Sequence, residues 1–253
     1  MTVNRELAKN FAAAHASGDM LVLPTVWDVW SARLCVDAGF RGLTIGSHPV
    51  ADAIGAEDGE AMDFGQYLAI ARRIVGSVDV PVSVDVESGY GLPGAELARQ
   101  VIAVGAVGLN IEDTVHREGK RVRTLTEHAD YIAAVRAEAD RQGVELVING
   151  RTDALKHGTA EFEDPEGEAT RRIQAMVEAG ARAVYPVAAT QPDLIGRLVE
   201  STEVPVNVTV DPVDDAPADR DTLRSLGVRR LTWGPKWQGQ MRAVLIDSVS
   251  AWA

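Results

Sequence analysis

The chain has 253 residues, 46% of them hydrophobic, which suits a single (β/α)8 barrel with a large core. A formal net charge of −12 disfavours nucleic acid and anionic membranes as partners, since both require basic patches, but it leaves room for a small anionic substrate held through a cation. Cys35 is the single cysteine, so no intrachain disulfide forms. Met1–Met20 lacks the apolar run of a signal or anchor, and no stretch reaches the length of a membrane span, so a soluble cytoplasmic protein is expected.

Eight short runs rich in Val, Ile and Leu predict strands at Leu21–Leu23, Gly42–Ile45, Val80–Val86, Val107–Ile111, Glu145–Asn149, Ala183–Val187, Val204–Val210 and Arg230–Thr232. Most are continuous rather than alternating, as expected of parallel strands covered on both faces. Between them lie amphipathic stretches, clearest at Asp28–Ala38, Asp63–Val75, Pro93–Val104, Thr126–Gln142 and Glu166–Glu178. Several units end on a glycine just before the next strand: Gly39, Gly105, Gly180 and Gly227. Glycine there is a helix stop, because the turn needs a left-handed residue. The alternation predicts one α/β domain over residues 1–253, a (β/α)8 TIM barrel with N-terminal and C-terminal helices. A doubly wound sheet is the alternative. Neither Gly-x-Gly-x-x-Gly after the first strand nor a phosphate-binding Gly-Lys-Ser/Thr loop is present to support it. Ser47–Glu60 reads as a loop, Asp113–Thr124 as a charged loop and Asp211–Asp221 as a polar connection.

Active sites of such barrels lie at the C-terminal ends of the strands. There the second strand opens into Gly46, Ser47 and His48. The third ends in Asp85 and Glu87, the fourth in Glu112 and Asp113, and the fifth in Arg151 and Asp153. Carboxylates gathered this way repel one another unless a cation sits among them. Mg²⁺ suits the task, because it takes oxygen ligands and keeps several waters. Arg151 is suited to a two-pronged contact with a carboxylate or phosphonate. Metal and arginine together fit a small anionic oxo-acid, whose carbonyl the metal would polarise as an enolate develops.

At these residues the chain resembles the isocitrate lyase / phosphoenolpyruvate mutase superfamily. The resemblance runs through Trp27-Asp28, Ser31-Ala32-Arg33, Gly46-Ser47, Gly55 and Asp58-Gly59. It continues through Asp85-Val86-Glu87-Ser88-Gly89-Tyr90-Gly91, Asn110-Ile111-Glu112-Asp113, Asn149-Gly150-Arg151-Thr152-Asp153-Ala154 and Gly227-Val228-Arg229-Arg230. It implies a Mg²⁺-dependent enzyme acting on 2-oxo acids or related dicarboxylates, with Asp85 as direct metal ligand and Asp58, Glu87 and Glu112 holding the metal's waters. It also implies that the Gly46-Ser47-His48 turn and Arg151 bind the substrate's anionic end, and that Tyr90 orients a reacting group.

Three departures stand out. The family often has Ser at the position of Gly46. Glu87 replaces the usual second aspartate. The segment Asp113–Arg121 carries neither the Lys-Lys/Arg-Cys-Gly-His loop of the isocitrate and methylisocitrate lyases nor the Lys-Thr-Asn-like sequence of the mutases and phosphonopyruvate hydrolases. In their place His116 and Lys120 sit on the lid, where either is a candidate proton donor. The four lysines all lie outside the strands, which argues against a Schiff-base aldolase.

Three readings therefore stand. The first is a Mg²⁺-dependent lyase cleaving a C–C bond of a small 2-oxo or 2-hydroxy dicarboxylate, oxaloacetate-like or methylisocitrate-like. The second is a P–C mutase or hydrolase acting on phosphonopyruvate or phosphoenolpyruvate. The third is a catalytically silent oxo-acid-binding barrel. Trp237–Trp252 has apolar residues at helical spacing. In the resembled family a terminal helix swaps between subunits, so a helix over about residues 236–251 and a homo-oligomer, dimer or tetramer, are expected.

Overall fold

The computed structural model describes residues 5–213 and 220–253. Of the Asp211–Asp221 connection, residues 214–219 lie outside them. Helix α1 (Arg5–Ala16) precedes β1 (Leu21–Leu23) and β2 (Thr25–Val26), then α2 (Val29–Asp37), β3 (Leu43–Ile45), α3 (Ser47–Ile54), α4 (Phe64–Val75) and β4 (Val82–Asp85). Next come α5 (Gly94–Ala103), β5 (Gly108–Glu112), a short hairpin of β6 (Thr114–Val115) and β7 (Arg121–Val122), α6 (Leu125–Arg141) and β8 (Val147–Thr152). The chain closes with α7 (Ala154–His157), α8 (Pro165–Glu178), β9 (Ala183–Pro186), α9 (Pro192–Glu200), β10 (Asn207–Thr209), α10 (Arg220–Ser225), β11 (Arg230–Thr232) and α11 (Lys236–Ser250).

All ladders except the hairpin are parallel, in the orders β2-β3-β4-β5-β8-β9 and β1-β11-β10. A parallel bridge between Val184 and Val206 joins β9 to β10. Pro24, which has no N–H to donate, separates β1 from β2. The first barrel strand is therefore split: β1 pairs with β11 and β2 with β3, which closes the ring. This is the predicted eight-membered barrel, with strand boundaries within a few residues of the apolar runs.

Local chemistry sets the helix ends. Asp28 caps α2 through Ser31 N–H at 2.7 Å, and Ser31 Oγ accepts from the Asp28 N–H in return. Thr124 and Glu127 form the same reciprocal pair at α6, and Asp63 caps α4. At the end of α2, Gly39 (φ 96°) lets the Phe40 N–H reach back to Cys35 O at 3.1 Å.

Odd and even strand positions separate cleanly. Val82, Val84, Leu109, Ile111, Ile148 and Leu231 pack outward into the apolar core under the helices. Asp85, Asn110, Asn149, Arg151, Asn207, Thr209, Arg230 and Thr232 face inward and line a pocket inside the barrel. One expectation is corrected: Ser47–Glu60 is not simply a loop. Its first eight residues form α3, ended by Gly55 in the left-handed region (φ 72°). The Gly/Ala/Asp composition signalled a loop, but Val50 and Ala51 bury against the core and stabilise a helix.

Candidate active site

The pocket at the C-terminal mouth has a volume of about 260 Å³. Asp85 ends β4 at its wall. One carboxylate oxygen accepts from Asn110 Nδ2 (2.9 Å) and the Glu87 N–H (3.2 Å), and the other accepts from Ser47 Oγ (3.2 Å). Tyr67 Oη donates to the Asp85 carbonyl at 2.6 Å and fixes its backbone. Opposite lies the first turn of α3. Gly46, Ser47, His48 and Pro49 all line the pocket, and the opening N–H groups of this helix have no intrahelical acceptor. Gly46 is required there: a Cβ would stand 2.7 Å from the Thr25 methyl and 2.8 Å from Pro49. A serine at this position would require those side chains to shift. Asp58 also lines the pocket, and its carboxylate meets His48 Nδ1 at 3.2 Å.

The turn after Asp85 is strained. Glu87 (φ 49°) and Tyr90 (φ 55°) are both non-glycine residues in the left-handed region, alongside Gly89 and Gly91. Glu60 holds it. This buried carboxylate accepts from Ser88 Oγ (2.5 Å), Ser88 N–H (3.1 Å) and Tyr90 N–H (2.7 Å) through one oxygen. Arg123 donates to the carbonyls of Ser88 (2.8 Å) and Glu112 (3.2 Å). Glu87 accepts from the Glu60 N–H (2.6 Å) and Tyr90 Oη (2.7 Å). Burial first, and then the charges of Asp58, Asp85 and Glu112, push the Glu87 carboxyl up to about 8 against the single opposing Tyr90 hydrogen bond.

Arg151 projects from β8 into the pocket between Glu112 (2.5 Å) and Asp153 (2.7 Å). Burial opposes its charge, but Glu112 and Asp153 outweigh that and hold it firmly protonated. Burial likewise opposes ionised Asp153, and Arg151 overrides it to leave the carboxyl at about 2. Asp153 N–H is tied to Asp113, which also pairs with Arg172 at 3.0 Å. Glu112 accepts a second contact from His116 Nε2 at 2.5 Å, and this hydrogen bond is the main cause raising the His116 pKa. His116 lies against Gly59, whose position has no room for a side chain beside the imidazole without a shift. The lid hairpin and the 55–62 loop therefore touch over the Asp85 turn.

The inferred set thus divides. Gly46, Ser47, His48, Asp58, Asp85 and Arg151 line one pocket. Glu87 and Glu112 stand behind it, buried, within electrostatic range of Asp85. Tyr90 does not face the pocket: it is buried against Phe64 (ring centroids 4.5 Å apart) with its hydroxyl on Glu87, so its contact with any substrate would run through Glu87. His116 sits at the lid edge on Glu112, while Lys120 is exposed at a left-handed position (φ 64°) and does not line the pocket. Sequence reasoning missed Glu60, Tyr185, Asn207, Thr209, Arg230 and Thr232. The apolar strand runs hid the last four, and Glu60 carried no signal beyond its place in an acidic loop.

The donor set fits a hard divalent ion held mostly through water. Among the described residues no three His, Cys, Asp or Glu side chains converge where they could together hold a metal. Asp85 and Asp58 both bring carboxylates to the pocket wall, and the charges of Asp58, Asp85 and Glu112 that add to burial in lifting Glu87 mark a place that favours positive charge. Oxygen donors, one direct carboxylate and retained waters are the habits of Mg²⁺.

The description "Phosphoenolpyruvate phosphomutase" belongs to a family model that matches residues 11–251. The chain belongs to this family. Among curated relatives it is 32% identical over 232 residues to 2-methylisocitrate lyase of Escherichia coli K12, covering 87% of this chain and 75% of that protein. It is 28% identical to oxaloacetate decarboxylase 1 of Pseudomonas fluorescens, covering 89% and 78%. Among solved structures, a putative phosphonomutase from Burkholderia cenocepacia superposes with a TM-score of 0.86 at 36% identity, covering 97% of this chain and 99% of that one. The expected superfamily and barrel thus hold over nearly the whole phosphomutase-family chain.

Proposed function

We propose that this chain is a Mg²⁺-dependent lyase that breaks a C–C bond in a small 2-oxo or 2-hydroxy dicarboxylate. The observation that carries the reading is Asp85 at the pocket wall, ringed by Asp58, Glu87 and Glu112 and faced by Arg151. Asp85 would hold the ion directly, and the other three carboxylates would hold its waters. Mg²⁺, when bound, supplies a Lewis acid for the negative charge that develops on the substrate's oxo oxygen.

The chain's own residues do the rest. The N–H groups of Ser47 and His48 at the start of α3 bind the substrate carboxylate, favoured by the helix dipole. Arg151 orients the same end, and its fork is preset by Glu112 and Asp153. His116, hydrogen-bonded to Glu112, is assigned to hold a proton at the lid edge, and the β6–β7 hairpin excludes water above it. The relatives named as 2-methylisocitrate lyase and oxaloacetate decarboxylase support C–C chemistry. The structural likeness to a putative phosphonomutase supports a second reading, P–C chemistry on phosphonopyruvate.

Turnover of oxaloacetate, 2-methylisocitrate, dimethylmalate and phosphonopyruvate, each with Mg²⁺ and with a chelator, tests these readings. Chelator-sensitive turnover of a dicarboxylate is expected, and turnover of phosphonopyruvate alone would refute the first reading in favour of the second. Asp85→Ala should abolish Mg²⁺ binding by calorimetry while the circular dichroism spectrum is kept; unchanged metal affinity would refute the assignment.

The working unit is proposed to be a homo-oligomer. Helix α11 exposes Val244, Leu245, Ile246 and Val249, and Trp252 beyond it is 91% exposed, an apolar face that water disfavours. Light scattering should give a multiple of the 27.1 kDa chain mass. No described helix is long and apolar enough to cross a membrane.

A further inference from the structure

Two guanidinium groups line the pocket, in opposite circumstances. That of Arg151 is held by two carboxylates. Arg172, also buried, likewise pairs with two, Asp113 at 3.0 Å and Glu168 at 2.7 Å. Arg230, the first residue of β11, is 1% exposed, yet among the described residues its side chain makes no hydrogen bond or ion pair, and its buried Nε has no partner. Burial lowers its pKa only to about 10, so it stays a cation at neutral pH. Its in-register neighbour is Asn207, which donates to Thr232 Oγ1 at 3.0 Å and leaves its own carbonyl oxygen unpartnered. The Asn149 carbonyl oxygen is unpartnered in the same way. The Asp85 charge acts on Arg230 from a distance, but that carboxylate is already engaged by Ser47, Asn110 and the Glu87 N–H.

A buried charge without a counter-ion is costly, and proteins keep one where something else supplies the opposite charge. The pocket that Arg230 lines is the place from which that charge can come. We propose that Arg230 is the specificity-determining cation for a second anionic group of the substrate, a carboxylate or phosphonate remote from the metal-binding end. This rests on the reading of Asp85 as the metal end. It makes the substrate a compact dianion. Asn207 beside Arg230, and Asn149 on the same pocket, can accept from a hydroxyl of that substrate or from a protonated oxygen of its second group.

Three ligands sharing a 2-hydroxy acid core test the proposal by calorimetry. Lactate has no second anion, malate adds a carboxylate and 3-phosphonolactate adds a phosphonate. With Mg²⁺ the wild-type protein should prefer one or both dianions over lactate, and the larger preference identifies the group. Arg230→Met should cut that preference roughly 30-fold or more and leave lactate affinity unchanged. Without ligand it should melt no lower than the wild type, because an uncompensated charge has been removed. A wild-type protein indifferent to the second anion, or a folded R230M protein that keeps the preference, would overturn the proposal.

If R230M does not fold, R230K carries the test: it keeps the charge but loses the planar fork, and an unchanged malate-to-lactate ratio overturns the assignment. Repeating the series in EDTA separates the two claims. Lactate affinity that ignores the chelator refutes the metal reading, whereas the malate-to-lactate ratio reports on residue 230 alone.

Discussion

Glu60 offers the most direct test of how the Asp85 turn is held. Its buried carboxylate accepts three hydrogen bonds through one oxygen, from Ser88 Oγ, Ser88 N–H and Tyr90 N–H, while the other oxygen has no hydrogen-bond partner. Hydrogen bonds to a charged acceptor contribute about 1.5–3 kcal/mol each, and breaking one side of a buried polar cluster costs about 3–5 kcal/mol in all. The turn it clamps also holds Glu87 and Tyr90 in the left-handed region, at about 1 kcal/mol or more of strain apiece. Glu60→Ala removes the clamp and leaves two buried N–H groups and a hydroxyl unserved, so a loss of about 4 kcal/mol is expected. For a chain of this size that lowers the melting temperature by roughly 8–16 °C.

Glu60→Gln keeps the accepting oxygen but gives up the ion pair of the other oxygen with Arg117 Nε at 3.7 Å, so a smaller loss of about 1–2 kcal/mol is expected. The assay is thermal unfolding of both variants by circular dichroism, followed by Mg²⁺ titration of whatever remains folded. Because the Asp85 side chain accepts from the Glu87 N–H of the same turn, E60A should weaken metal binding more than E60Q. An E60A protein that melts within a degree or two of the wild type and binds Mg²⁺ equally well would refute the clamp.

Two further outcomes follow from the same geometry. Gly89 lies at φ 104°, and a Cβ there would stand 2.2 Å from Tyr131 Oη, so Gly89→Ala should cost roughly 2–4 kcal/mol by chemical denaturation. A Tyr131→Phe background should recover part of this, and strict additivity of the two changes would show that the contact is not the cause. His15 is buried in α1 with its pKa lowered to about 4, by desolvation first and the charge of Arg230 second. As pH falls below 6.5 the unfolded chain takes up this proton before the folded one does. Its contribution is therefore complete above 6.5 and is lost progressively towards pH 4, on the order of 3 kcal/mol. Denaturation curves between pH 7 and 4 should fall more steeply for the wild type than for His15→Leu, and parallel curves would contradict the buried neutral ring.

The barrel and the acidic wall of the pocket were legible in the sequence because their causes are local. Continuous Val/Ile/Leu runs mark strands covered on both faces, Asp28, Asp63 and Thr124 announce helix starts, and Gly39 announces a helix end. The Asp85–Gly91 segment must be read together because its backbone needs glycines at Gly89 and Gly91 for a left-handed turn. Ser47, His48, Asp85 and Arg151 converge because each sits at or next to the C-terminal end of a barrel strand, with Asp58 brought in by the loop after α3, and strand order in a barrel follows chain order. What only the tertiary structure decided is which way side chains face and what they meet. Tyr90 lies in a motif beside the proposed metal ligands, yet packing on Phe64 turns its hydroxyl to Glu87 and away from the pocket. Lys120 and His116 are four residues apart on one lid, and the hairpin sends the first to solvent and the second onto Glu112. Glu60 and Arg230 are distant in sequence from the groups they serve or face. The burial that makes one a clamp and the other an unpaired cation exists only once the ring has closed.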